Sequence, residues 1–186
     1  QTMDVRPDVL TCAKALSSAY LPISAVMLSE KVYAPIAKQA EQLGIFGHGY
    51  TYSAHPVCAA VAWRAQQLMQ ERDIVGHVRR IAPQFKSRIE RLARFDFIGN
   101  LRAIGLIGAM EFAANRQTGE KFEPAQKIAA QAVAIIQKHG VILRALPGDI
   151  IGFCPPLIIT AEEIDDMFDR IESGLDEVSA LAAKLR

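Results

Sequence analysis

The sequence has little of what marks a metal, disulfide or membrane protein. Its 186 residues include only three cysteines, Cys12, Cys58 and Cys154. They are far apart, flanked by apolar residues, and form no CxxC pair, so neither a zinc site nor a disulfide framework is indicated. Buried, reduced thiols in a cytoplasmic protein are the expectation. No uncharged apolar run approaches the roughly eighteen residues that a spanning helix needs. Asp4, Arg6, Asp8 and Lys14 interrupt the start of the chain, which does not read as a signal peptide. Charge of either sign is not in excess: 22% of residues are charged and the net charge is +1. That balance gives no reason to expect a nucleic acid or an anionic membrane as partner. No His/Asp/Glu set has metal-ligand spacing, no Gly-x-Ser-x-Gly elbow occurs, and no internal repeat or low-complexity segment is visible.

What is present is ample apolar material, 51% of the chain, in a pattern of alternating strands and helices. Residues 8–13 (DVLTCA) and 24–29 (SAVMLS) read as short buried strands. Residues 30–42 read as a helix with Val32, Ile36, Ala37 and Ala40 on one face. Residues 44–55 (GIFGHGYTYSAH) are a glycine-rich loop, after which Pro56 is suited to the first position of a helix. That helix runs to about residue 72, and another from 73 to about 94, which Pro83 is expected to kink or split. Two strands lie between 97 and 112. A turn at Thr118-Gly119 leads to a helix over 124–139, closed by Gly140. Residues 141–144 and 150–153 read as strands joined by a Pro147-Gly148-Asp149 turn. Thr160 and Glu163 form a capping box, followed by Ile164, Met167, Phe168, Ile171 and Leu175 at helical spacing. Composition shifts in the long helical stretch, roughly 65–95. The division is placed at 75/76, between part of a larger domain (1–75) and a complete smaller α/β domain (76–186).

Three features offer chemistry. Lys14 ends an apolar strand between two alanines. It reads either as a surface lysine or as an amine whose desolvation favours attack on a carbonyl. The loop around Gly47, Gly49, Tyr50 and Thr51 precedes a helix N-terminus. It is either an ordinary turn or a set of N–H and hydroxyl donors for a phosphate. It is not a P-loop, because no Gly-Lys-Ser/Thr follows. Arg144 ends an apolar run before a Pro-Gly turn. It either pairs with Asp149 or solvent, or forks onto a substrate carboxylate. His55 is placed to cap a helix or meet a partner chain, His139 lies near a helix C-terminus, and Glu111 is expected to pair locally. Asp165, Asp166 and Asp169 are assigned to the polar face of the last helix.

In order along the chain, these segments resemble class III pyridoxal-phosphate aminotransferases. Residues 7–16 (PDVLTCAKAL) are similar to that family's strand into its cofactor-binding lysine, and 21–26 (LPISAV) to the segment after it. Residues 50–56 (YTYSAHP) resemble its phosphate-contacting loop. Residues 102–111 (RAIGLIGAME) resemble the strand pair opening its small domain, with Ala103 where the family usually has glycine. Residues 154–160 (CPPLIIT) resemble the entry to its last helix. The resemblance implies an α/β architecture. It is that of fold type I transferases: the C-terminal part of the large domain plus the small domain. It implies that Lys14 binds pyridoxal 5'-phosphate as a Schiff base and then moves the proton. It implies that Thr51, helped by Tyr50, reaches the phosphate of a neighbouring subunit's cofactor, in a homodimer or dimer of dimers. Residues 143–149 (LRALPGD) are similar to the ω-amino-acid:pyruvate branch. There Arg144 would bind the carboxylate of an amino or keto acid and swing aside for apolar amines. The implied partners are a small amine and a keto acid such as pyruvate.

The resemblance also places three cofactor contacts before the lysine: a Gly-Ser turn, a stacking aromatic residue and an aspartate. The sequence opens with Gln1, thirteen residues before Lys14. A fragment is therefore expected, incompetent alone and active as the full-length protein. A mutase, racemase or decarboxylase of the same fold is the alternative enzyme. A non-catalytic oligomerisation or binding remnant is the alternative from another class.

Overall fold

A computed structural model of the protein describes residues 3–186. The chain folds as two compact units, Gln1–Asp73 and Ile74–Arg186.

In the first unit, β1 (Val9–Cys12) and β2 (Ala25–Leu28) form an antiparallel pair. The one-turn 3-10 segment Lys14–Ser17 follows β1 directly. Next come α1 (Glu30–Leu43), the glycine-rich loop and α2 (Pro56–Glu71), with Pro56 opening the helix as its sequence suggests. Val32, Ile36, Ala37 and Ala40 are half-buried on α1, as their spacing predicts. The two strands are not buried. Val26 is 64% exposed and Leu10 45%. A two-stranded ribbon cannot cover both of its own faces, and the described residues do not cover them either. The thiols also differ from expectation: Cys12 and Cys58 are half-buried and Cys154 is exposed. His55 precedes α2 but makes no side-chain cap.

The second unit is a four-stranded antiparallel sheet in the order β3-β4-β6-β5, packed against three helices. The helices are α3 (Ile74–Arg91), α4 (Ile128–Lys138) and α5 (Ala161–Leu185). The strands are β3 (Ile98–Ile104), β4 (Ile107–Phe112), β5 (Arg144–Leu146) and β6 (Ile150–Phe153). Gly105 takes a positive φ of 56° in the two-residue β3–β4 hairpin, where a side chain would be strained. One sheet face carries Met110, Phe112, Ile151 and Phe153 into the core, with Phe85, Ile89, Ile136, Phe168 and Leu175 from the helices. The period-2 alternation of each strand leaves Arg102, Glu111 and Arg144 on the opposite face, beside Ile104, Ile107 and Leu146.

Three elements depart from the sequence reading. α3 is continuous through Pro83. That proline is exposed, so the carbonyl it leaves without a donor lies on the solvent side. The helix over 124–139 is broken at Lys127, which has φ 49° and separates a 3-10 turn from α4. β5 starts at Arg144 rather than ending there. α5 begins as expected: the Thr160 hydroxyl accepts from the Glu163 N–H, and the Glu163 carboxylate accepts from the Thr160 N–H.

The acidic residues of α5 do more than face solvent. Arg88 of α3 is buried and donates to Asp165 and Glu172 at 3.0 and 3.1 Å, and to Asp169. Glu172 is buried as well, and Arg94 reaches it at 3.2 Å. Arg88 Nε has no partner, which offsets part of the gain. The Arg88 hydrogen bond holds the Asp169 carboxyl below the ordinary carboxylate range, and Arg186 does the same to Asp96.

Two outcomes are expected. Arg88→Met removes the buried partner of Glu172, leaves that carboxylate to the more exposed Arg91 and Arg94, and costs about 2 kcal/mol in urea unfolding of the second unit. Asp96, Asp169 and Glu111 have lowered folded pKa values, so they stabilise the fold fully above the unfolded value. That contribution falls as pH drops through the folded values, below about pH 4. A melting midpoint insensitive to pH between about 5 and 3 would contradict the assignment. Gly174 supplies a third test. A Cβ there would sit 2.8 Å from Ile136 Cγ1 and 3.0 Å from Ile136 Cα. Gly174→Ala should therefore destabilise the α4–α5 packing by about 1–2 kcal/mol despite alanine's better helix propensity, measured by the same unfolding curves.

Candidate active site

The backbone of Lys14 is held by hydrogen bonds of its local chain and of α2. Its backbone has φ 52°, and Ser18 and Ala19 share the left-handed region a turn later. Positive φ at non-glycine residues costs free energy and persists only when neighbours enforce it. Two neighbours do. The Ser17 hydroxyl donates to the Leu21 carbonyl at 2.6 Å, and Ser17 is buried. From α2, Gln66 Nε2 donates to the carbonyls of Leu16 at 2.9 Å and Ala15 at 3.4 Å. The sequence reading singled out neither residue. Gln66 lies fifty-two positions after Lys14, and nothing local to it signals the contact.

The Lys14 side chain is exposed and has no carboxylate partner among the described residues. It lines an open depression of about 1860 Å³ within the first unit. Tyr20, Pro22, Phe46, His48, Tyr50 and Tyr52 share the wall. The wall thus combines an unpaired amine with aromatic faces and several hydroxyls. The loop that supplies Tyr50 is organised by its own contacts. The Tyr50 N–H donates to the Ser53 hydroxyl at 3.0 Å, and the Ser53 N–H donates to the Tyr50 carbonyl at 2.9 Å. The rings of His48 and Tyr50 meet edge to face with centroids 5.5 Å apart.

Lys14 and Tyr50 are thus brought to one depression. Thr51 is exposed in the adjoining turn and is not on that wall. Arg144 belongs to the second unit, at the first residue of β5. It is exposed and makes no ion pair among the described residues, and Asp149 is engaged elsewhere, accepting from the Ala129 N–H at 3.3 Å. Glu111 pairs locally, accepting from Arg102 at 2.9 Å and from Lys121. These two donors, Lys121 foremost, hold its carboxyl below the usual range. His139 approaches Glu177 with Nε2 at 2.7 Å from its carboxylate. No metal-binding group of His, Cys, Asp or Glu occurs among the described residues, and none of their helices is long and apolar enough to cross a membrane.

Known proteins resemble this chain in sequence and in fold. The family "Aminotransferase class-III" matches residues 1–175. A gamma aminobutyrate transaminase of Solanum lycopersicum is 40% identical over 183 residues, covering 98% of this chain and 35% of its own length. An uncharacterized aminotransferase of Sinorhizobium fredii is 38% identical over 180 residues, covering 96% of this chain and 38% of its own. Among solved structures, one described as a transaminase with L-alanine superposes with a TM-score of 0.92 at 42% identity. It covers 97% of this chain and 42% of that one. An aminotransferase from Vibrio fluvialis in a PMP-bound form superposes with a TM-score of 0.91 at 32% identity, over 96% of this chain and 39% of that one. The chain therefore spans about two-fifths of the length of these relatives. Its fold is that of the fold type I pyridoxal-phosphate transferases, and by sequence and structure the chain belongs to the class III aminotransferases.

Proposed function

We propose that the full-length protein is a pyridoxal-5'-phosphate-dependent transaminase. It would move an amino group from an amine or ω-amino acid to a keto acid such as pyruvate, with Lys14 as the covalent anchor for the cofactor. In this reading the first unit is the end of the large cofactor-binding domain and the second is the small domain. The observation that carries the reading is Lys14 itself: an unpaired amine, held at φ 52° after β1, on the wall of an aromatic-lined depression. The relatives support the substrate class by name, since one is a gamma aminobutyrate transaminase and another is a transaminase with L-alanine.

When bound, the cofactor supplies the electron sink for carbanion chemistry. The rest falls to residues of this chain. Lys14 Nζ, as a free amine, would take the proton from the substrate carbon and deliver it to the cofactor. A tethered amine beside that carbon gains its advantage from position. Gln66 is the positioning residue, because it grips the carbonyls that follow Lys14. Tyr20, Phe46, Tyr50 and Tyr52 offer ring faces along the wall of the depression. Thr51 donates to a phosphate held by the neighbouring subunit, which makes the site dependent on a homodimer or dimer of dimers; the Tyr50 N–H is given to the Ser53 hydroxyl and helps by holding that loop. Arg144, free of competing carboxylates, forks onto the carboxylate of the acid substrate. Cytoplasmic residence is part of the same reading.

Three measurements bear on it, all on full-length protein. Lys14→Ala should abolish both the cofactor absorbance and transamination, whereas unchanged activity would favour a non-catalytic remnant. Arg144→Ala should raise the KM for pyruvate by about tenfold to a hundredfold while sparing simple amines, as expected for a lost charge-assisted pair. Gln66→Leu should speed amide exchange in the Lys14 turn by about fivefold to tenfold, the equivalent of one hydrogen bond. If pyruvate never returns the aminated cofactor to its starting form, transamination is the wrong reaction. A mutase, racemase or decarboxylase then takes its place.

A further inference from the structure

The open face of the second unit's sheet carries a row that runs across all four strands. Arg102 pairs with Ala109, Ala109 with Gly152, and Gly152 with Arg144. Directly paired residues of an antiparallel ladder project to the same side. The row therefore has a cation at each end and the two smallest side chains between. Three strand spacings of about 4.8 Å put its ends about 14 Å apart at the backbone, with two long side chains able to close from either end. Gly152 keeps the floor low, and a Cβ there would meet Leu146 Cδ1 at 3.2 Å.

The two arginines are not equivalent. Arg102 Nη1 donates to Glu111 Oε2 at 2.9 Å, and Glu111 stands on the same face two residues along β4 from Ala109. Lys121 binds the other oxygen of that carboxylate. Glu111 is only 20% exposed and is held ionised by both donors. Arg144 has no such partner among the described residues.

We propose that Glu111 determines acid specificity: by holding Arg102, it leaves Arg144 as the single unpaired guanidinium of the row and tunes the site to acids with one carboxylate. The inference rests on reading Arg144 as the carboxylate clamp, and it adds the substrate class. A dicarboxylic 2-oxo acid needs a second cation, and Arg102 can serve only by giving up a charge-assisted bond to Glu111. Lys121 keeps Glu111 in place for that bond. Discrimination of this kind works against the wrong acid rather than for the right one.

The test uses full-length protein, one amine donor, and kcat/KM for pyruvate and for 2-oxoglutarate. Glu111→Gln keeps the side-chain size and removes the charge. It should shift the ratio toward 2-oxoglutarate by about tenfold, the size of one charge-assisted hydrogen bond. Adding Arg102→Met should return the ratio to the parental value. A ratio within about twofold of the parent in folded Glu111→Gln protein overturns the proposal, as does a gain that persists without Arg102. Where the glutamine variant does not fold, Glu111→Asp shortens the reach to Arg102, keeps a charge for Lys121, and should shift the ratio in the same direction. An unchanged pyruvate KM in Arg144→Ala would remove the clamp reading and this one together. A normal Arg144 response with an unshifted Glu111→Gln ratio removes this one alone.

Discussion

A one-residue slip between β4 and β6 would exchange the two faces of the second unit's sheet, and nearly everything in that unit depends on its not happening. The pairing of Met110 with Ile151 and of Gly108 with Phe153 sends the apolar set inward. The same pairing sends Ala109, Glu111 and Gly152 outward, beside Arg102 and Arg144. Register is strongly specified where one face is buried, because a slip would expose every core side chain at once. The energetic cost of wetting Met110, Phe112, Ile151 and Phe153 is therefore what holds two arginines and a glutamate in one plane. Hydrophobic burial does the aiming, and charge then joins Arg102 to Glu111.

The first unit solves a different problem by different means. Its strands are short, and the described residues leave them largely exposed, so little packing within this chain bears on Lys14. Local hydrogen bonds hold it instead: Ser17 closes the turn on Leu21, and Gln66 reaches in from α2. The turn runs through left-handed backbone at Lys14, Ser18 and Ala19, a conformation that such bonds must maintain against its intrinsic cost. An amine held this way keeps its side chain free while its base is fixed.

Much of this was legible in the sequence because it is local. The α5 capping box, the proline that opens α2 and the apolar stripe of α1 each follow from residues a few positions apart. Strand ends, loop composition and the order of family-like segments nominate Lys14, Tyr50, Thr51 and Arg144, and of these the structure brings Lys14 and Tyr50 to one depression. What was not legible is long-range or cooperative. Arg88 and Glu172 are 84 residues apart, and neither shows from its neighbours that it will be buried against the other. Gln66 is an ordinary helix residue until the Lys14 turn arrives beside it. Pro83 looked disruptive because a breaker is read by residue type, whereas its cost depends on which side of the helix it faces. β1 and β2 looked buried because they are apolar, yet the described residues leave them open.

The proposed role of Lys14 is to anchor the cofactor. It is tested most directly by incubating full-length protein with pyridoxal 5'-phosphate, reducing with borohydride, and mapping the modified peptide by mass spectrometry. The account predicts a single stoichiometric adduct on Lys14. An adduct confined to another lysine, or none on Lys14 in protein that turns over, would contradict it.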